Sequence, residues 1–197
     1  MTEILLTAGV LYAGFLALVS LWAVRPPRTP LFLSPQALGV ESEEVSFLSR
    51  GREVRGWWLK RESPRAVAVL LHGYLMNRSE MASLAVALWE RGFAVLLFDF
   101  LGCGKSDSGW VTLGMDESIE VLSGCQWCEE NVPGIPRILV GSSMGGAAAV
   151  FALSRDRRAG DALILDSVFH NAVGASLGWW RFLGGLPGVL VLAPTCF

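Results

Sequence analysis

The stretch "PRILVGSSMGGAAAV", residues 136–150, runs from an apolar segment, Ile138 to Val140, into Gly141-Ser142-Ser143-Met144-Gly145 and then into a tract of small residues suited to a helix. This pattern predicts a strand, a sharp turn and a helix, with Ser143 at the apex. Gly141 and Gly145 flank it because strand and helix must come close there. Ser142 is the lesser candidate, since the glycine spacing centres on residue 143. A phosphate-binding loop would carry a lysine after its glycines, and none is present. A serine hydroxyl alone is a weak nucleophile and needs a base. The chain has two histidines, His72 and His170.

Outward from this turn, periodicity predicts a strand at about 44–49, a turn at Arg50-Gly51-Arg52 and a strand at about 53–60, together a hairpin. The continuous apolar run "AVAVLLHG", 66–73, reads as a strand covered on both faces. A helix near 78–91, the strand "FAVLLFDF" at 93–100, a helix near 115–131, the strand before Ser143, a helix to about 155 and the strand "ALILD" at 162–166 complete the series. Alternating strands and helices predict a doubly wound, mostly parallel α/β sheet. In such sheets ligands sit beyond the carboxyl ends of the strands. Three loops therefore matter: His72-Gly73-Tyr74, the glycine-rich "DFLGCGKSDSG" at 99–109, and the turn at Ser143.

With 197 residues, 52% of them apolar, the chain can bury one sizeable core. A net charge of -2, with two lysines and fourteen arginines scattered along the chain, excludes a nucleic-acid partner. Cys103, Cys125, Cys128 and Cys196 form no disulfide framework. Cys125 and Cys128 fall one turn apart inside a predicted helix, so they read as packing, and two ligands make no tetrahedral metal site. No cofactor and no metal is expected. Trp57 and Trp58 alternate along a strand and point to opposite faces.

From Ile4 to Val24, 21 residues carry no charge. At about 1.5 Å per residue such a helix spans the roughly 30 Å hydrocarbon layer. Glu3 before it and Arg25-Pro26-Pro27-Arg28 after it do not suit a cleaved secretory signal. Residues 1–24 are therefore expected to be a single-pass membrane anchor, and the two arginines put the following domain on the cytoplasmic side. The Pro-rich residues 25–42 read as a semi-rigid linker lifting residues 43–197 off the bilayer.

In the order "EVRGWWLK", "LLHGYLMNRSEM", "FDFLGCGKSDSG", "VTLGMDES" and "GSSMGG", the chain resembles the α/β-hydrolase superfamily, in its serine-aminopeptidase-like and monoglyceride-lipase-like branch. The resemblance covers residues 44 to about 170. It implies Ser143 as nucleophile and the main-chain amides of Tyr74 and Met144 as the oxyanion hole. It also implies that His72 shapes the oxyanion loop and does not serve as base. Leu101 and Cys103 depart from the family's usual arginine and histidine.

The resemblance implies a triad order of serine, acid, histidine. After Asp166 the sequence holds one histidine, His170, and no further acid, so Ser143, Asp166 and His170 form the candidate triad. The tail "SVFHNAVGASLGWWRFLGGLPGVLVLAPTCF" reads as the start of a cap in a C-terminally truncated domain; Arg181 and Pro187 interrupt it as a second membrane span. The strand at 162–166 is then expected to be an apolar sheet edge for the tail or a partner to cover. The expected function is hydrolysis of an ester or amide through an acyl-enzyme at Ser143, with lipid-like esters, peptides and small acyl compounds all open as substrates and with slow or no turnover expected of the truncated chain. The alternative is a membrane-tethered binding or scaffold protein that keeps the fold without the chemistry.

Overall fold

The computed structural model describes residues 2–171, 173–178, 181, 182 and 185. Two compact units emerge, one of residues 27–168 and the other of residues 1–26 with 169–197. In the second unit, helix α1 (Thr2–Val24) is apolar along its length and has none of its span buried. It is long and apolar enough to cross a membrane. The Arg25 amide closes its last turn on Leu21 O, and Pro26-Pro27, which lacks two amide donors, stops the helix.

The larger unit is a six-stranded sheet of β1 (Glu43–Ser49), β2 (Arg52–Leu59), β3 (Val67–Leu71), β4 (Ala94–Phe98), β5 (Arg137–Ser142) and β6 (Ala162–Asp166), in the spatial order β1-β2-β4-β3-β5-β6. The β1/β2 hairpin and the β2/β4 pair are antiparallel, and β4, β3, β5 and β6 run parallel. Every residue of β3 and β4 is buried, as their unbroken apolar runs require. Helix α2 (Ala82–Glu90) follows a 3₁₀ turn at Arg78–Met81 and packs on one face with Trp57, Leu70 and Leu97. Helices α3 (Glu117–Asn131) and α4 (Met144–Arg155) cover the other face with Trp58, Leu71 and Phe98. Trp57 and Trp58 accordingly serve opposite cores, and Trp58 meets Trp127 of α3 edge to face at 5.3 Å. Cys125 and Cys128 are buried in the α3 packing. Helices on both faces make this the doubly wound, mostly parallel architecture.

The β6 strand lies at the sheet edge, with Ile164 54% and Leu165 45% exposed. Among the described residues it pairs only with β5.

The proline-rich stretch after α1 does not stand off as a spacer. Arg28 Nη1 donates to Gly104 O and Ser106 O, Asn77 Nδ2 donates to Thr29 O and Pro30 O, and Val40 is buried in the α2-side core. Prolines leave carbonyls without neighbouring amides, and here side chains of the domain satisfy them. Residues 28–40 of the expected linker thus form a strap on the domain.

The α3 N-terminus organises the loops beyond β4. Glu117 accepts from Thr112 N, Thr112 Oγ1 and Gly114 N at 2.8 Å each, and Glu120 accepts from Leu101 N at 2.8 Å and from Arg50 at 2.9 Å. Both carboxyls are buried in the first turn of the helix, where the macrodipole favours negative charge. Burial dominates at Glu120 and pushes its pKa up to about 7, against the Leu101 amide and Arg50, which hold it down. A carboxyl raised in the folded state favours folding below its ordinary pKa, near 4.5, and loses that contribution as pH rises through about 7. Glu120→Gln removes this dependence, so the melting temperature of the variant should gain on the wild type between pH 5 and 7.5 and stay level above. Parallel melting curves of the two proteins across that range check it.

Candidate active site

Ser143 sits between the last residue of β5 and the first of α4, at φ 48° and ψ -111°. A non-glycine residue at positive φ is held by its surroundings against a cost of about 1–3 kcal/mol. Two constraints hold it. The Ser143 amide donates to Asp166 O on the neighbouring strand at 2.8 Å, and Ser143 O accepts from Ala147 N at 3.1 Å within α4. The helix can start this abruptly only because backbone meets backbone. A Cβ on Gly141 would overlap Gly145 and Gly146, and one on Gly145 would overlap Leu71 and His72 at the end of β3. Ser143 is half-buried.

As the first residue of α4, Met144 carries an amide with no acceptor inside the helix. Beside Ser143 lies the loop after β3. A Cβ on Gly73 would lie 3.7 Å from Ser143 Cβ and 3.5 Å from both carboxylate oxygens of Glu80, which brings the His72-Gly73-Tyr74 loop directly against the serine. The Gly73 amide donates to Glu80 Oε2 at 2.6 Å, and Ser142 Oγ lies 3.5 Å from Glu80 Oε1. The spacing therefore puts Ser143 at the apex and leaves Ser142 against Glu80.

His72 is fully buried and engaged at both ring nitrogens. Nε2 accepts from Phe100 N at 3.1 Å, which assigns the proton to Nδ1, 2.8 Å from Gly73 O. Burial lowers its pKa; the nearby Asp99 carboxylate opposes that but does not reverse it. A neutral imidazole with both nitrogens occupied ties the end of β3 to the end of β4 and has no lone pair for Ser143. The thiols nearby are no substitute nucleophiles, because burial pushes Cys103 up to about 12 and keeps it protonated.

Asp99 is the second hub. Its Oδ1 accepts from Arg78 N at 2.7 Å and its Oδ2 from Lys105 N at 2.8 Å, with Arg78 Nε 3.7 Å away. Arg78, wholly buried, stacks over Trp57 at 4.3 Å and reaches Glu44 at 3.0 Å. Leu101 and Cys103, where the sequence departs from the related pattern, are buried apolar contributors to the α3-side core.

Of the remaining candidates, Asp166 ends β6 in register with Ser142, and its exposed carboxylate accepts from Ser167 Oγ at 2.9 Å. His170 is exposed and belongs to the other compact unit. The structure thus gathers Ser143, Met144, Gly141, Gly145, Tyr74 and Asp166 at one end of the sheet, and His170 outside that unit. Sequence reasoning missed Glu80, Thr29 and Asn77. Their partners lie across a turn or 46 to 48 positions away, and no period links them. Among the described residues no group of three or more His, Cys, Asp or Glu side chains converges as a metal site.

Residues 62–183, more than half of the chain, match the family described as serine aminopeptidase, S33. The chain is 30% identical over 137 residues to the Escherichia coli K12 protein YfhR, an alignment covering 66% of this chain and 48% of that protein. It is 34% identical over 107 residues to the monoacylglycerol lipase of Mycolicibacterium smegmatis, covering 52% of this chain and 38% of the lipase. The chain thus spans less than half the length of these curated relatives. Among solved structures, the Pyrococcus furiosus esterase Pf2001 superposes with a TM-score of 0.71 at 26% identity, over 84% of this chain and 68% of that one.

The bonding at His72 yields a direct expectation. Nitrogen NMR of the histidine-labelled protein should find one imidazole neutral, protonated on Nδ1, and titrating below the ordinary histidine value. A His72 ring that becomes cationic near pH 6.5 contradicts the assignment.

Proposed function

The chain belongs to the serine aminopeptidase S33 family of α/β-hydrolases, and from that premise we propose that it is a membrane-anchored serine hydrolase that cleaves an ester or amide through Ser143. The observation that carries the reading is the conformation of Ser143, which projects a hydroxyl from a strained turn at the carboxyl end of a parallel sheet. In the proposed reaction Ser143 Oγ adds to the acyl carbonyl as its proton passes to a base. The oxyanion that forms takes hydrogen bonds from the Met144 and Tyr74 amides. Collapse expels the alcohol or amine, which takes up the proton, and leaves an acyl-serine. Water then adds with the same base, releasing the acid and regenerating the serine.

Since His72 is closed off at both nitrogens, His170 is the proposed base in this sequence, with Asp166 as the orienting acid. A lipid-like acyl ester suits both the monoacylglycerol lipase likeness and a domain tethered at a bilayer by α1. The two arginines after α1 favour a cytoplasmic domain. The exposed β6 edge favours a partner, or further chain, against Ile164 and Leu165.

The engagement of His72 also favours a second reading, a tethered binding or scaffold protein that retains the fold without turnover. A fluorophosphonate probe separates the two. Labelling that Ser143→Ala abolishes and His170→Ala slows by about 10²-fold or more supports the hydrolase. Folded protein that takes up no probe at Ser143 supports the scaffold.

A further inference from the structure

The loop that faces Ser143 is fastened from both sides of Tyr74, and one fastening comes from outside the hydrolase motifs. On the inner side the Gly73 amide is held by Glu80, and Gly73 O by His72. On the outer side Leu75 adopts φ 64°, a left-handed conformation that a branched side chain disfavours. Its carbonyl accepts a hydrogen bond from Thr29 Oγ1 at 2.5 Å. The connection is returned by Asn77, whose side chain donates to Thr29 O at 2.9 Å and Pro30 O at 3.1 Å and caps the following 3₁₀ turn by accepting from Ser79 N.

We propose that Thr29, in the strap that precedes the sheet, is a positioning residue for the oxyanion loop: by holding Leu75 O it keeps Leu75 left-handed and the Tyr74 amide directed at the carbonyl bound over Ser143. This rests on the reading that the Tyr74 amide is an oxyanion donor. The strap has other anchors, namely Arg28 on Gly104 and Ser106, Phe32 N on Ser79 Oγ at 3.2 Å, and the buried Val40. Removing one hydroxyl therefore leaves the strap in place and frees only the loop. Oxyanion donors act on the transition state and hardly on ground-state binding, so the effect falls on kcat.

The test uses the full chain in lipid nanodiscs, with Thr29→Val, which keeps the shape and loses the donor, and Thr29→Ser, which keeps the donor. Turnover of p-nitrophenyl butyrate and hydrogen exchange of residues 73–77 are measured on each. In Thr29→Val, kcat should fall about 10-fold or more with KM within about 2-fold, and exchange at 73–77 should rise while β3 is unchanged. Thr29→Ser should restore both. Wild-type kcat and exchange in the valine variant overturn the proposal, as does a rise in KM alone or an equal loss in the serine variant. If the wild type shows no Ser143-dependent turnover, the hydrolase reading fails, and the exchange measurement alone decides whether Thr29 holds the loop. Should Thr29→Val not fold, Thr29→Ala is read by the same criteria.

Discussion

The first turn of α4 presses backbone against backbone on the ends of β3 and β5. Gly141 faces the amides of α4 and Gly145 faces Leu71 O, with no room for a side chain at either place. Everything at the site follows from that approach. Chain direction must reverse within one residue, and Ser143 takes the strained φ that the reversal requires. The Ser143 amide is drawn to Asp166 O, so the elbow is also bound to its neighbour strand. A larger residue at 141 or 145 would push the helix outward, and the hydroxyl would leave the loop that faces it.

Around this elbow the buried polar groups do not spread through the core; they collect at the carboxyl ends of β3 and β4. His72, Arg78, Asp99, Glu117 and Glu120 are all buried, and each satisfies loop amides or carbonyls or pairs with another charge. Loops at this end have no ladder partners, so carboxylates and an imidazole supply the bonds that strands otherwise would. Their work is to hold main chain in place. That explains why a conspicuous histidine beside Ser143 is a brace, and why cysteine can stand at 103, a buried position in the apolar core.

Function at such a site depends on orientation of main-chain donors to within a fraction of an ångström. The loop after β3 faces Ser143 and is braced by Glu80 inside the fold and by the strap outside it. The strap is contributed by residues that immediately follow an apolar helix, so the chain between that helix and the sheet takes part in the architecture of the candidate site.

Local pattern was enough for much of this. The glycine spacing around Ser143, the unbroken apolar runs of β3 and β4 and the alternation at Trp57 and Trp58 each act within a few residues, and so determine strand, turn and helix, the faces of the sheet and the apex of the elbow. What only the tertiary structure decided were contacts between distant positions: the tautomer of His72, set by the Phe100 amide; the burial of Arg78 over Trp57; Glu80 beneath Gly73; and the attachment of Thr29 to Leu75. Those depend on the sheet order β4-β3-β5 bringing three loop ends together, and periodicity along one segment carries no information about which other segment will lie beside it.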